Sequence, residues 1–206
     1  MEVRLLIFVS LVLTAVLAKF FWRQGYVFLK LLPLLFIITH AFLFSPRVDI
    51  LWFAAISLGL AGDVLLLKEK WFVPGLLSFL LGHIFYIFAF NHESQQGFQP
   101  TLVLFWVALF IIAVCGYFTR HLIQSRQKKY ILPVILYVLV SGAFFASTLH
   151  NPLRSTAVLG AFLFCFSDFL LGFHKFVRPM WYVQALVSLT YFAGQWLLAH
   201  HFGYVR

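Results

Sequence analysis

Two aspartates in this chain stand where aspartate is expensive. Of its six acids, Glu2, Asp49, Glu69 and Glu93 fall at or near the ends of apolar runs, where water or lipid headgroups solvate them. Asp63 and Asp168 fall inside such runs. A carboxyl at the centre of a membrane helix costs about 2.5–3.5 kcal/mol on insertion scales. Acids so placed are kept for use, or are packing acids held by a hydrogen bond or a lysine. Two carboxyls sharing a low-dielectric pocket do not both ionise: one keeps its proton while the other is a carboxylate. A proton donor beside a charge stabiliser suits acid-catalysed hydrolysis, and these two are the candidate catalytic residues.

Helical spacing puts the two acids at one level. Asp63 precedes Lys68 by five residues and Asp168 precedes Lys175 by seven, which is roughly 8 and 10 Å below a basic border. Lys30 and Tyr137 belong to the same layer. His83 and Tyr86, three residues apart, share a helix face. Gln184, Ser188, Tyr191 and Gln195 recur at spacings of four, three and four, a polar stripe turned to a bundle interior. With Ser167, next to Asp168, and apart from Ser188, these residues are the candidate binding or supporting set; for the stripe, interhelical hydrogen bonding is the alternative. No two histidines have metal-ligand spacing within a helix, so no metal is expected.

The elements that position these groups must be membrane helices. The 206 residues are 63% hydrophobic and 10% charged, with 27 phenylalanines. A water-soluble core of this size could not hide so much apolar surface. Eight candidate spans result, at 3–21, 27–45, 49–67, 71–90, 101–119, 130–149, 155–173 and 180–200, within one transmembrane domain covering 1–206. Ser45-Pro46 and Asn151-Pro152 break the runs. The first run lacks a small-x-small cleavage site and reads as the first helix, not a leader. Gly62-Asp63-Val64-Leu65-Leu66 echoes Ser167-Asp168-Phe169-Leu170-Leu171, and Pro33 echoes Pro133, suggesting a four-plus-four parallel repeat.

The net charge of +9 sits in short gaps between apolar runs, which fits membrane flanks rather than nucleic-acid binding. Eleven Lys and Arg follow odd-numbered spans and four lie on the other side. The basic loops are expected in the cytoplasm, with both termini opposite. Cys115 and Cys165 lie in apolar runs and read as small buried hydrophobes, not as a disulfide or metal pair.

Five segments carry a family resemblance. They are Lys30-Leu31-Leu32-Pro33, Ser57-Leu58-Gly59-Leu60-Ala61-Gly62-Asp63-Val64-Leu65-Leu66, Phe79-Leu80-Leu81-Gly82-His83-Ile84-Phe85-Tyr86, Gly160-Ala161-Phe162-Leu163-Phe164-Cys165-Phe166-Ser167-Asp168 and Tyr191-Phe192-Ala193-Gly194-Gln195. In order and spacing the chain resembles the YhhN family of lysoplasmalogenases from helix 2 to helix 8. It departs in helix 2, where Leu31 and Leu32 separate Lys30 from a proline that the family often places directly after lysine. The resemblance implies hydrolysis of the vinyl ether of lysoplasmalogens, with choline or ethanolamine headgroups, to a fatty aldehyde and a glycerophospho-headgroup. It implies no metal or organic cofactor, a lysophospholipid as partner, and an apolar cleft for the alkenyl chain. One aspartate would protonate the vinyl carbon; the other would stabilise the cation and orient water. Lys30 would face the phosphate or an aspartate.

Two other readings use the same acids. Gly59-Leu60-Ala61-Gly62-Asp63 loosely resembles the Gly-x-Gly-Asp motif of intramembrane aspartyl proteases, with one residue too many between the glycines and no Pro-Ala-Leu segment elsewhere. Paired membrane acids also serve proton-coupled transporters and lipid flippases, although there they lie nearer the midplane.

Overall fold

A computed structural model describes residues 2–92, 101–149 and 155–204; Glu93, Asn151-Pro152, Arg154 and Arg206 lie outside the described residues. Every regular element among them is helical. In chain order the α-helices are α1 (Glu2–Phe21), α2 (Arg23–Leu29), α3 (Leu32–Phe44), α4 (Ile50–Leu65), α5 (Phe72–His92), α6 (Thr101–Gln124), α7 (Ile131–Thr148), α8 (Ser155–Phe176) and α9 (Val183–His201), with short 3-10 turns at Glu69–Trp71 and Lys128–Tyr130. A chain in lipid must satisfy its backbone internally, and helices do so within each segment.

Six segments among the described residues are long and apolar enough to cross a bilayer, the α2–α3 stretch Gln24–Phe44 counting as one. α4 is shorter, at 16 residues. α9 falls outside the six because its polar stripe lowers its hydropathy, and Ser188, Tyr191 and Gln195 of that stripe are buried. Large apolar side chains such as Phe28, Phe44, Ile50, Phe110 and Leu132 point outward, as they do where the surroundings are hydrocarbon. The protein is a multi-pass membrane protein.

One expected helix is broken. The run read as 27–45 divides at Lys30-Leu31, between α2 and α3. Pro33 has no N–H to bond the Leu29 carbonyl, and Leu31 instead bonds back to Phe28 at 3.1 Å. The break sets Lys30 at a helix junction rather than on a continuous face. Elsewhere the helices run close to expectation, the largest extension being α6, which reaches Gln124.

The tightest joints are between α4 and α5 and between α8 and α9, and glycine makes both possible. A Cβ on Gly82 would lie 3.1 Å from the Ala55 carbonyl oxygen. A Cβ on Gly194 would lie 2.8 Å from that of Gly160, closer than side-chain carbons tolerate. α9 also packs on α1 and α3, and α5 on α7. At the opposite end of the bundle, Asp49 caps α4 by accepting from Leu51 and Trp52 N–H at 2.8 and 2.9 Å. Gly203, at φ 82°, ends α9, and the Tyr204 hydroxyl accepts from Asp49 N–H at 2.7 Å.

Candidate active site

The two acids reach one buried cluster from different elements. Asp63 sits in the last turn of α4, nearer the helix end than its run suggests, yet only 2% exposed. Lys30, at the α2–α3 break, sets Nζ 2.7 Å from Asp63 Oδ1. Tyr26, one turn earlier on α2, stands beside both. Sequence reading passed over Tyr26, although its four-residue spacing from Lys30 puts the two on one face.

Asp168 belongs to α8, two turns before its end. His83 of α5 faces it, with Nε2 3.3 Å from Oδ2 but off the hydrogen-bonding line. On its other side the His83 ring bonds the Phe79 carbonyl through Nδ1 at 2.9 Å. A carbonyl oxygen only accepts, so Nδ1 carries a proton. Nε2 and Oδ2 can therefore hold a single proton between them: it sits on the carboxyl, or the ring is cationic and the carboxyl anionic. Tyr137 of α7 lies at right angles to the His83 ring, with centroids 5.7 Å apart and its hydroxyl beside Asp168.

α9 joins the two acids. Tyr191 lies between them, its hydroxyl toward Asp63. Gln195, one turn on, accepts from the Tyr86 hydroxyl at 2.7 Å through Oε1. Three buried polar atoms then converge without partners of their own: Asp63 Oδ2, Tyr191 Oη and Gln195 Nε2. The last two lie 2.9 and 3.5 Å from where a Cβ on Gly59 would stand. Gly59 precedes Asp63 by one turn, and its missing side chain leaves room for the Tyr191 hydroxyl and the Gln195 amide.

Two expected residues stand apart from this cluster. The Ser167 hydroxyl bonds back to the Phe164 carbonyl at 2.7 Å. Gln184 meets His174 Nε2 at 3.4 Å, close to the basic border. Lys30, His83, Tyr86, Tyr137, Tyr191 and Gln195 all surround the acids. The border itself is tied by Lys175 and Glu69, 2.6 Å apart, which puts the ends of α8 and of the α4–α5 connection at one level.

A cavity of about 890 Å³ opens between α6, α7 and α8. Its wall is aromatic and aliphatic, from Phe72 and Phe176 at one end to Ile111, Phe145 and Phe162 at the other. Asp168 is the single carboxyl in that wall, accompanied by Tyr137, Ser141 and Cys165. Cys165 is a free thiol that donates to the Ser141 carbonyl at 3.4 Å. Asp63 does not line the cavity. Among the described residues, no three of His, Cys, Asp and Glu converge to hold a metal ion.

The YhhN family pattern matches residues 25–202, which takes in every residue of this cluster. The chain belongs to the YhhN family. Among curated relatives of this YhhN protein, human lysoplasmalogenase TMEM86B is 29% identical over 171 residues, covering 82% of this chain and 71% of the relative. The mouse protein of that name is 28% identical over 172 residues, 82% and 72% of the two chains. Human lysoplasmalogenase TMEM86A is 26% identical over 186 residues, covering 83% and 75%. No solved structure matches this YhhN chain.

Proposed function

We propose that this membrane protein is a lysoplasmalogenase, an ether hydrolase that splits the vinyl ether of a lysophospholipid into a fatty aldehyde and a glycerophospho-headgroup. The observation that carries the chemistry is Asp168: one carboxyl, backed by a histidine, in the wall of an otherwise apolar cavity. The names of the TMEM86A and TMEM86B relatives support the same reaction.

The alkenyl chain lies in the cavity, which has the volume and apolar lining of a lipid-tail site. A vinyl ether is electron-rich at the carbon beta to oxygen. Asp168 protonates that carbon: the pi electrons form the new C–H bond, and a lone pair of the ether oxygen closes onto the other vinyl carbon to give an oxocarbenium ion. The carboxylate left behind faces the cation it has just created, in a dry site where the attraction is strong. His83 shares that proton with Asp168 and fixes the carboxyl through its own anchor on Phe79.

Water then adds to the oxocarbenium carbon. Asp63 Oδ2, Tyr191 Oη and Gln195 Nε2 offer polar partners to a buried water behind Asp168, from where it enters the cavity past that side chain. The water's proton leaves to the carboxylate, the hemiacetal collapses, and the aldehyde and glycerol hydroxyl part. Lys30, 2.7 Å from Oδ1, fixes the Asp63 carboxyl, so that Asp63 orients water while Asp168 acts as the acid. The basic loops face the cytoplasm in this reading, with both termini opposite.

The test is mass spectrometry of purified protein in detergent with vinyl-ether and ester lysolipids side by side. Aldehyde from the vinyl ether alone is the expected result. Turnover without a sealed compartment separates hydrolysis from transport, and peptide cleavage with lysoplasmalogen untouched would replace this function by proteolysis.

A further inference from the structure

The apolar cavity has a polar neighbour at its basic end. A second, smaller cavity of about 220 Å³ is formed by Tyr117, Arg120, His121 and Gln124, all on one side of α6. Tyr117 lines both cavities, so the two adjoin. Neighbouring cations differ in availability. Lys175 is paired with Glu69, whereas Arg120 is exposed and has no acidic partner among the described residues.

Depth can be read from the contacts between α6 and α8. Tyr117 stacks on Phe173 and Phe118 meets Phe169 edge-on. Deeper in, Ile111 lies against Gly142 of α7, whose neighbour Ser141 bonds Cys165 of α8. α6 and α8 therefore run side by side in the same direction. Asp168 is level with the turn of α6 before Phe118, and Arg120 lies roughly 5–9 Å beyond it toward the basic border. A molecule whose vinyl ether touches Asp168, with its tail toward Ile111, must place the group beyond its glycerol near Arg120. A guanidinium presents a fork of N–H donors that fits two phosphate oxygens at once.

We propose that Arg120, with His121 and Gln124, forms the subsite for the phosphodiester of the lysophospholipid whose chain fills the larger cavity. This deepens the hydrolase reading and rests on it. The lipid is then clamped at both ends, apolar tail and anionic headgroup, and the bond between them is held against Asp168.

Binding without turnover tests this apart from catalysis. The probes are a saturated ether lysophospholipid, which has no vinyl bond to protonate, and the matching phosphate-free alkylglycerol. Arg120 is exposed, so Arg120→Gln and Arg120→Lys should fold as the parent does. Arg120→Gln should weaken lysophospholipid binding by at least tenfold and leave alkylglycerol binding unchanged, with Arg120→Lys between the two. Equal effects on both probes, or on neither, would overturn the subsite. Displacement of the lysolipid by an equal concentration of inorganic phosphate would assign the pocket to free anions and overturn it as well. Failure of the wild-type protein to release aldehyde from a lysoplasmalogen would strike the hydrolase reading, while the probe comparison still decides what Arg120 binds.

Discussion

Asp168 Oδ2 and His83 Nε2 stand 3.3 Å apart, and the far side of the histidine ring is committed to the Phe79 carbonyl. The ring can thus pass charge only toward the acid. His83→Gln tests what that is worth, because its amide reaches toward Asp168 but cannot store a proton. The expected outcome is a fall in kcat of roughly 100-fold with KM little changed, measured as aldehyde release against lysoplasmalogen concentration. Unaltered kcat would reduce His83 to a spacer.

Asp168→Asn removes the acid while keeping shape and polarity. Aldehyde release should drop about 1,000-fold, and the protein should still extract and run as the parent does. Asp63→Asn should also lose nearly all activity, but it strips Lys30 of its partner as well. Full activity in either variant would end the two-acid mechanism.

The Lys30–Asp63 pair allows stability and catalysis to be separated. Breaking a buried pair from one side costs about 3–5 kcal/mol, whereas replacing both members by apolar residues of similar size is often neutral. Lys30→Ala should therefore lower the Tm of the purified protein markedly. The double variant Lys30→Met with Asp63→Leu should regain most of that Tm and remain inactive. Recovery of aldehyde release along with Tm would make the pair a structural element alone.

The deep end of the large cavity sets chain length. Ile111 lines it beside Phe145 and Phe162. Ile111→Trp should fill that end, so that kcat/KM for long alkenyl chains falls about tenfold or more while short-chain substrates are spared. Equal losses across chain lengths would move the tail out of this cavity.

Much of the candidate site was legible in the sequence because burial of charge is a local property. Asp63 and Asp168 betray themselves by their apolar flanks, and Lys30, His83, Tyr137 and Tyr191 by type and periodicity. What local pattern cannot supply is which helices are neighbours. Nothing near Asp168 announces that His83, on α5, will face it, or that Asp63 will take Lys30 while Tyr191 bridges the acids. The cavity was hidden for a similar reason. Its α6 wall holds ordinary apolar residues, and Arg120 reads from sequence only as one more basic flank. Helix 2 shows the opposite failure: Pro33 was visible, but hydropathy alone cannot say whether a proline bends a helix or severs it.

The two glycine joints recur with one register. The Ala55 carbonyl packs on Gly82 and the Gly160 carbonyl on Gly194. Asp63 follows Ala55 by eight residues, as Asp168 follows Gly160, and His83 and Gln195 each come directly after the joint glycine. Each joint is in effect a ruler, fixing how far its acid stands along the bundle axis. A bulkier residue at Gly194 would slide α8 against α9 and carry Asp168 out of step with His83, which belongs to the other ruler. In the proposed reaction these glycines therefore matter as much as the acids, because the alignment of two independent scales would decide whether proton and vinyl carbon meet.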